Sequence, residues 1–326
     1  MSYELSVIIP VYNAENWLLK CFESLKKQKN FKDIEIIFID DGSIDNSFAI
    51  CSDLAIKFLN VKFIDSKDNH GVAYVRNLGL KVATGKYISF LDSDDYVDVD
   101  FYDDALKYLN KYNVDIICYG MYYEYKDSTV IRKPKTSYFC SSYEFLSDLY
   151  LKNSIDQTIT NKVFSKRVLK NIFFNEDIHI AEDYLFLIQI LLNYNPNIYV
   201  RDKAVYHYLM NDNSAMRKKF NKKRFESIYV SELVTKLVSN KYPKLKPYLI
   251  SSEIDNVCRV ICDIVYSNEI NNYSEEFYLL KKRVKDYKLI DKFKFSNKKH
   301  FFAFVLTRIS PKLYNFIKED LKFQYK

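Results

Sequence analysis

Three carboxylates within four residues, Asp92, Asp94 and Asp95, follow the apolar run at 87–91 in the segment YISFLDSDDY. Such a cluster repels itself unless a cation or abundant water sits among it. A second acid pair, Asp40 and Asp41, ends the run IIFIDDGS, and a third, Glu182 and Asp183, opens AEDYLF. The chemistry open to these groups is narrow. An x-D-x-D arrangement supplies hard oxygen ligands for Mg2+ or Mn2+, which complete their octahedron with waters and substrate phosphates. A carboxylate within reach of a hydroxyl can take its proton as general base. Each cluster alone is equally an ordinary helix cap or a pair of first-turn acids facing water.

The elements that must position these acids are readable around them. LSVIIPVYN and IEIIFIDDGS are short, almost continuously apolar runs, as expected of strands covered on both faces. Between them, AENWLLKCFESLKKQ places Trp17, Leu18, Cys21, Phe22 and Leu25 on one side of a helix. A helix over 45–59 leads to the strand VKFID, and a third helix over 71–83 leads into YISFL. This alternation predicts an α/β fold with a mostly parallel, doubly wound sheet. Ligands bind such sheets beyond the carboxyl ends of the strands, so two acid-tipped ends far apart in sequence face one pocket. A further strand is expected over 115–125. Beyond it TNKVFSKRVLKNI and AEDYLFLIQILLNY read as helices, and from Lys218 the chain reads as almost wholly helical.

Charge divides the chain at the same place. From Arg217 onward there are 25 Lys and Arg against 12 Asp and Glu, which leaves 24 against 30 in the first 216 residues, and all five glycines fall before residue 121. The expected division is therefore a catalytic domain over 1–216 and a basic, aromatic-rich helical region over 217–326. No apolar run approaches the roughly 20 residues that span a bilayer. The N-terminal segment MSYELSVIIPVYN lacks a basic stretch and a small-residue cleavage site, so a cytoplasmic protein is expected. Six scattered cysteines without a CxxC motif suit reduced, buried thiols.

Taken together, SVIIPVYNAENWL, IIFIDDGSIDNS, NHGVAYVRNLGLKVATGKYISFLDSDD and AEDYLF resemble the signatures of glycosyltransferase family two, inverting enzymes with the Rossmann-like GT-A fold. The resemblance spans roughly residues 4–216. It implies that Pro10 and Tyr12 flank a nucleotide base, with Asp41 accepting from the uracil N–H. It also implies Arg76 near the phosphates, Asp92 and its neighbour Asp95 near the ribose, Asp94 on a Mn2+ or Mg2+ ion, Asp183 as the base and Glu182 orienting the acceptor. His207 is implied at the diphosphate, or with Arg217 in a lid; a structural histidine is the alternative. The implied partners are a UDP-sugar donor and a glycan or lipid-linked glycan acceptor, as in bacterial makers of capsule, exopolysaccharide or teichoic acid.

Lysines interleaved with Phe, Tyr and Leu in the last hundred residues suit an anionic membrane surface, a helical subdomain or a subunit contact. The oligomeric state stays open, and no nucleic-acid motif accompanies the basic charge. A sugar-1-phosphate nucleotidyltransferase would carry a glycine-rich loop after the first strand, and PVYNAEN has no glycine. A catalytically silent glycan- or lipid-binding protein of the same fold is the other alternative.

Overall fold

The structure, a computed structural model, describes residues 3–152, 154–210, 220–296 and 298–311. The chain divides into two compact units, residues 1–211 and 212–326. The first contains β1 (Leu5–Val11), α1 (Leu18–Lys26), β2 (Ile34–Asp40), α2 (Ser47–Lys57), β3 (Val61–Asp65), α3 (Val72–Val82), β4 (Tyr87–Phe90) and β5 (Tyr96–Val97). It continues through α4 (Phe101–Tyr112), β6 (Ile116–Tyr125), β7 (Ser128–Arg132), β8 (Tyr138–Cys140), α5 (Ser142–Ser147), β9 (Lys162–Ser165), α6 (Glu182–Tyr194) and β10 (Ile198–Leu209).

One twisted sheet runs β3-β2-β1-β4-β9-β6-β10-β5, with β7 paired to β6 and β8 to β10. Strands β3, β2, β1 and β4 are mutually parallel, as the βαβ alternation requires. Their alternate residues divide between two helical layers. Leu5, Val7, Ile9 and Val11 join Leu18, Phe22 and Leu25 of α1 and Phe101 and Leu109 of α4 in one core. On the other face α3 approaches so closely that a Cβ at Gly79 would lie 2.4 Å from the Ile8 side chain. Only glycine permits that approach without displacement.

The second half of the sheet departs from the expected pattern. TNKVFSKRVLKNI, expected as a helix, holds strand β9 and then a 3-10 turn over Lys166–Leu169. Strand β9 is antiparallel to both β4 and β6. A four-residue strand spans barely one helical turn, so its apolar spacing cannot distinguish the two conformations. Strands β7, β8 and β10 were not anticipated either. Tyr206, Val205 and Tyr199 of β10 enter the same core as β1.

A closed charge cluster lies in the same unit. The buried Glu35 accepts from Ser6 Oγ, from the Thr84 amide at 2.8 Å and hydroxyl at 2.9 Å, and pairs with Lys62 at 2.6 Å.

The second unit contains α7 (Glu226–Lys241), α8 (Lys246–Tyr266), α9 (Ser274–Asp286), α10 (Leu289–Phe295) and α11 (Lys298–Ile309). The long α8 supplies its centre, with Ile254, Val257, Cys258 and Ile261 packed against Phe220, Ile228, Val284 and Phe304. Lys292 is fully buried; its ammonium donates to the Ser251 carbonyl and hydroxyl and pairs with Asp255 at 2.6 Å. Among the described residues, no helix is long and apolar enough to cross a membrane. All six cysteines are buried free thiols, and Cys258 belongs to the α8 core.

Candidate active site

The acid-tipped strand ends meet at one edge of the sheet. Val11 pairs with Asp40, and Ile8 with Phe90, so β1 and β2 deliver residues 12 and 41 side by side, and β4 brings residue 92 level with Pro10. Backbone bonds extend the alignment: Asp41 N–H donates to Val11 at 2.8 Å, and Leu91 N–H to Ile8 at 3.1 Å. Pro10 is buried in β1, while the Tyr12 side chain just beyond it is 50% exposed.

Asp41 is buried and organises the entrance to α3. Its carboxylate accepts from the His70 amide at 2.8 Å and the Gly71 amide at 2.9 Å. Gly71 has φ +94°, a conformation that favours glycine, and it allows both amides to converge on one carboxylate. These two backbone bonds and a longer one from the Ser66 hydroxyl at 3.4 Å leave acceptor capacity on a carboxylate that has about four lone-pair sites.

The three acids of DSDD have three different environments. Asp92 pairs with Arg76 at 2.9 Å. Asp95, 2% exposed, accepts from the Tyr206 hydroxyl at 2.7 Å and the Leu209 amide at 2.8 Å, tying the loop to β10. Asp94 has no ion pair and no side-chain hydrogen bond among the described residues. Burial and the neighbouring Asp92 push the Asp94 carboxyl up to about 6. Burial, then Asp94 and Asp92, also raise Asp95. A cation beside Asp94 would relieve both. No group of three or more His, Cys, Asp or Glu able to hold a metal occurs among the described residues. One or two carboxylates nevertheless suit Mg2+ or Mn2+ when substrate phosphates supply other ligands.

Arg76 joins this loop to the later acid pair. Its guanidinium, only 4% exposed, bonds Asp92 on one side and Glu182 at 2.7 Å on the other. Burial alone would lower its affinity for a proton, but Asp92 and Glu182 hold it firmly charged. Its Nη1 and Nη2 are engaged by the two carboxylates, while its buried Nε has no hydrogen-bond partner among the described residues.

Glu182 and Asp183 open α6. The preceding Ala181 lies in the left-handed region at φ +67°, which costs a non-glycine residue about 1 kcal/mol. Glu182 is buried, and burial followed by Asp183 raises its carboxyl, with Arg76 opposing. Asp183 is half-buried and also raised, chiefly by burial, with Arg76 and the Tyr184 amide opposing.

His207 is held on β10 against β5, the strand that follows DSDD. Its ring lies between Tyr96 and Tyr122, at 4.2 and 4.4 Å, and its nitrogens face Glu124 at 2.6 Å and Asp98 at 2.9 Å. Arg217, the expected lid partner, lies outside the described residues. Arg76, Asp92 and Glu182 therefore form one bonded group, Asp95 joins it to β10, and Pro10, Tyr12 and Asp41 stand along the neighbouring strand ends. Sequence reasoning missed Tyr206 and Ala181. The alternation in VYHYL could have marked Tyr206 as inward-facing, whereas no signal marks the conformation of Ala181.

The model of Glycosyl transferase family 2 matches residues 6–173. The minor teichoic acid biosynthesis protein GgaB of Bacillus subtilis is 30% identical over 256 residues, covering 76% of this chain and 28% of that protein. The poly(ribitol-phosphate) beta-N-acetylglucosaminyltransferase TarS of Staphylococcus aureus is 31% identical over 210 residues, 63% of this chain and 35% of TarS. The chain thus spans about a third or less of these two relatives.

Among solved structures, residues 1–349 of S. aureus TarS in complex with UDP-GlcNAc align with TM-score 0.67 and 20% identity, over 99% of this chain and 94% of that one. The mannosyltransferase PcManGT of Pyrobaculum calidifontis, in complex with GDP-Man and Mn2+, aligns with TM-score 0.55 and 14% identity, over 96% and 88%. These likenesses give the fold, the GT-A arrangement expected from the motifs. With more than half its length matched by the family model, the chain belongs to glycosyl transferase family 2.

Proposed function

We propose that the protein is an inverting glycosyltransferase that moves a sugar from a UDP-sugar to a hydroxyl of a bacterial surface glycan, an acceptor carried on a lipid. The observation that carries this reading is the division of labour in DSDD: Asp92 is neutralised by Arg76, Asp95 is bonded to β10, and Asp94 alone remains uncommitted. The similarity to GgaB and TarS, whose names place them in teichoic acid chemistry, supports the acceptor class. UDP-GlcNAc is the first donor to try, since TarS binds it.

In this reading the exposed Tyr12 ring stacks on uracil, and Asp41 accepts from its N–H with the capacity left beside the two amides. Pro10 shapes the same wall. Asp92 faces the ribose, and Arg76 holds Asp92 and Glu182 together through its two ion pairs. A bound Mn2+ or Mg2+, held by Asp94 and diphosphate oxygens, would stabilise the charge developing on the leaving UDP. Asp183 takes the proton from the acceptor hydroxyl as that oxygen attacks from the face opposite the diphosphate, and Glu182 orients the acceptor. An α-linked donor then gives a β-linked product. Asp95 and His207 fix β10 beside the donor.

The catalytic domain is proposed over residues 1–216 and the helical region over 217–326. Leu289, Ile290 and Phe293 of α10 and Phe302 and Ile309 of α11 are exposed. With the surrounding lysines they support a peripheral contact with the inner face of the cell membrane.

Calorimetric titration of UDP with and without Mn2+ tests the donor site. Metal-dependent binding that disappears in Asp94→Ala is expected, and no UDP binding under either condition overturns it. Asp183→Asn is expected to keep UDP binding while transfer falls by about 10²–10⁴-fold. Unchanged transfer removes Asp183 from the role.

A further inference from the structure

Lys162 is the first residue of β9, fully buried and remote in sequence from every motif of the site. Its backbone lies beside the acid-tipped edge: Ser89 pairs with Val163, and the next step along β4 and back along β9 brings Phe90 opposite Lys162. Lys162 and Phe164 alternate onto the same face of the sheet. That face is covered by α6, since Phe90 meets Phe164 at 6.3 Å and Phe186 at 6.0 Å. Asp183 stands one turn before Phe186 on α6.

Three protons of the ammonium meet three acceptors: the Asp156 carbonyl at 2.8 Å, the Asn161 side-chain oxygen at 2.8 Å and the Thr158 carbonyl. All three are neutral, so the cation is solvated by its own loop but not cancelled by a bonded carboxylate. A buried charge of this kind is costly unless another charge answers it. The charged groups acting on Asp183 are Arg76 from α3, Asp92 from the DSDD loop, its neighbour Glu182 and Lys162 from β9, beside the Tyr184 amide of its own helix. Arg76 is already shared between two other carboxylates. Burial raises the Asp183 carboxyl, and Lys162 is among the groups that oppose the rise.

We propose that Lys162 is a positioning residue for the transfer reaction, a fixed internal cation that β9 places under α6 to keep Asp183 ionised as the base. The proposal rests on Asp183 having that role. It gives the unexpected antiparallel strand a purpose, because β9 carries the charge onto the face of the sheet that α6 covers.

The test compares Lys162→Gln, which keeps two donors for the loop but no charge, with Lys162→Arg, which keeps the charge. In Lys162→Gln, kcat is expected to fall at least tenfold with the UDP-sugar KM little changed. The acidic limb of the kcat/KM profile should move up by about one pH unit. Lys162→Arg should restore the limb. A folded Lys162→Gln protein whose limb stays in place overturns the proposal, because a loop-holding role alone lowers activity without moving it.

If Lys162→Gln does not fold, the Lys162→Gln/Asp183→Asn double variant decides. Recovery of a cooperative melt is expected once the unanswered carboxylate is gone, and no recovery overturns the proposal. Asp183→Asn alone separates the two claims: full activity there removes the base itself, whereas an inactive Asp183→Asn with an unmoved Lys162→Gln limb removes only the role of Lys162.

Discussion

Buried charge occurs in both units, and the two treat it differently. In the helical unit Lys292, Asp255 and Ser251 close upon one another. In the α/β unit Arg76 spans Asp92 and Glu182, but Asp94 beside it has no ion pair among the described residues and Asp183 remains raised by burial. A closed cluster specifies packing, whereas an unbalanced one stores a demand that a ligand can meet. Buried charge alone therefore does not mark a site; the imbalance does.

Removing the central cation from each cluster breaks the comparison most severely. Arg76→Met leaves two carboxylates unanswered and is expected to cost about 3–5 kcal/mol by denaturant unfolding. It should also abolish UDP binding measured by calorimetry. Lys292→Met should cost a comparable amount, about 3 kcal/mol, yet leave the UDP affinity of the folded protein unchanged. Equal damage to UDP affinity in both variants would end the distinction between open and closed clusters.

Glu35 sharpens the contrast because it is a closed cluster within the α/β unit. Burial raises its carboxyl, but Lys62, Ser6 and Thr84 more than offset that, so its proton affinity ends below the ordinary value. A depressed carboxyl contributes stability that is present above the unfolded-state pKa and lost as pH falls through the folded one. Thermal melts should therefore show Glu35→Gln less stable than the parent at pH 7, with the gap narrowing below about pH 4. A gap that stays constant would assign its effect to shape.

The smallest expected effect is at Ala181. Replacing it with glycine relieves the left-handed strain, worth about 1 kcal/mol, against the greater unfolded-state freedom of glycine, worth about 0.5–1 kcal/mol. A melting temperature within a few degrees of the parent is expected. If turnover falls while UDP binding holds, the strained residue is what aims Glu182 and Asp183.

The sequence is most informative where local chemistry and long-range placement agree. Strands β1, β2 and β4 were legible because each is a continuous apolar run ending in acid, and helix α3 because Gly71 announces its start. The acids themselves were legible by type, but their partners were not. Nothing local states that Asp95 will be bonded by Tyr206, 111 residues away, or that Arg76 will reach Glu182 across 106. Strand β9 was misread as a helix for the same reason: its conformation is decided by the edges of β4 and β6, which lie far from it in sequence.

That arrangement also orders the assembly of the molecule. Strands β1 to β4 come from the first ninety residues and pair through short crossovers, so they can associate while the rest of the chain is still being made. Among the described residues β9 is the strand that pairs with both β4 and β6, so the sheet is not continuous until residues 162–165 have emerged. Until then the edge of β4 has unpaired backbone groups available to a second nascent chain. The step that completes the sheet is thus one of long sequence separation, the kind of pairing that is intrinsically slow and exposed to aggregation.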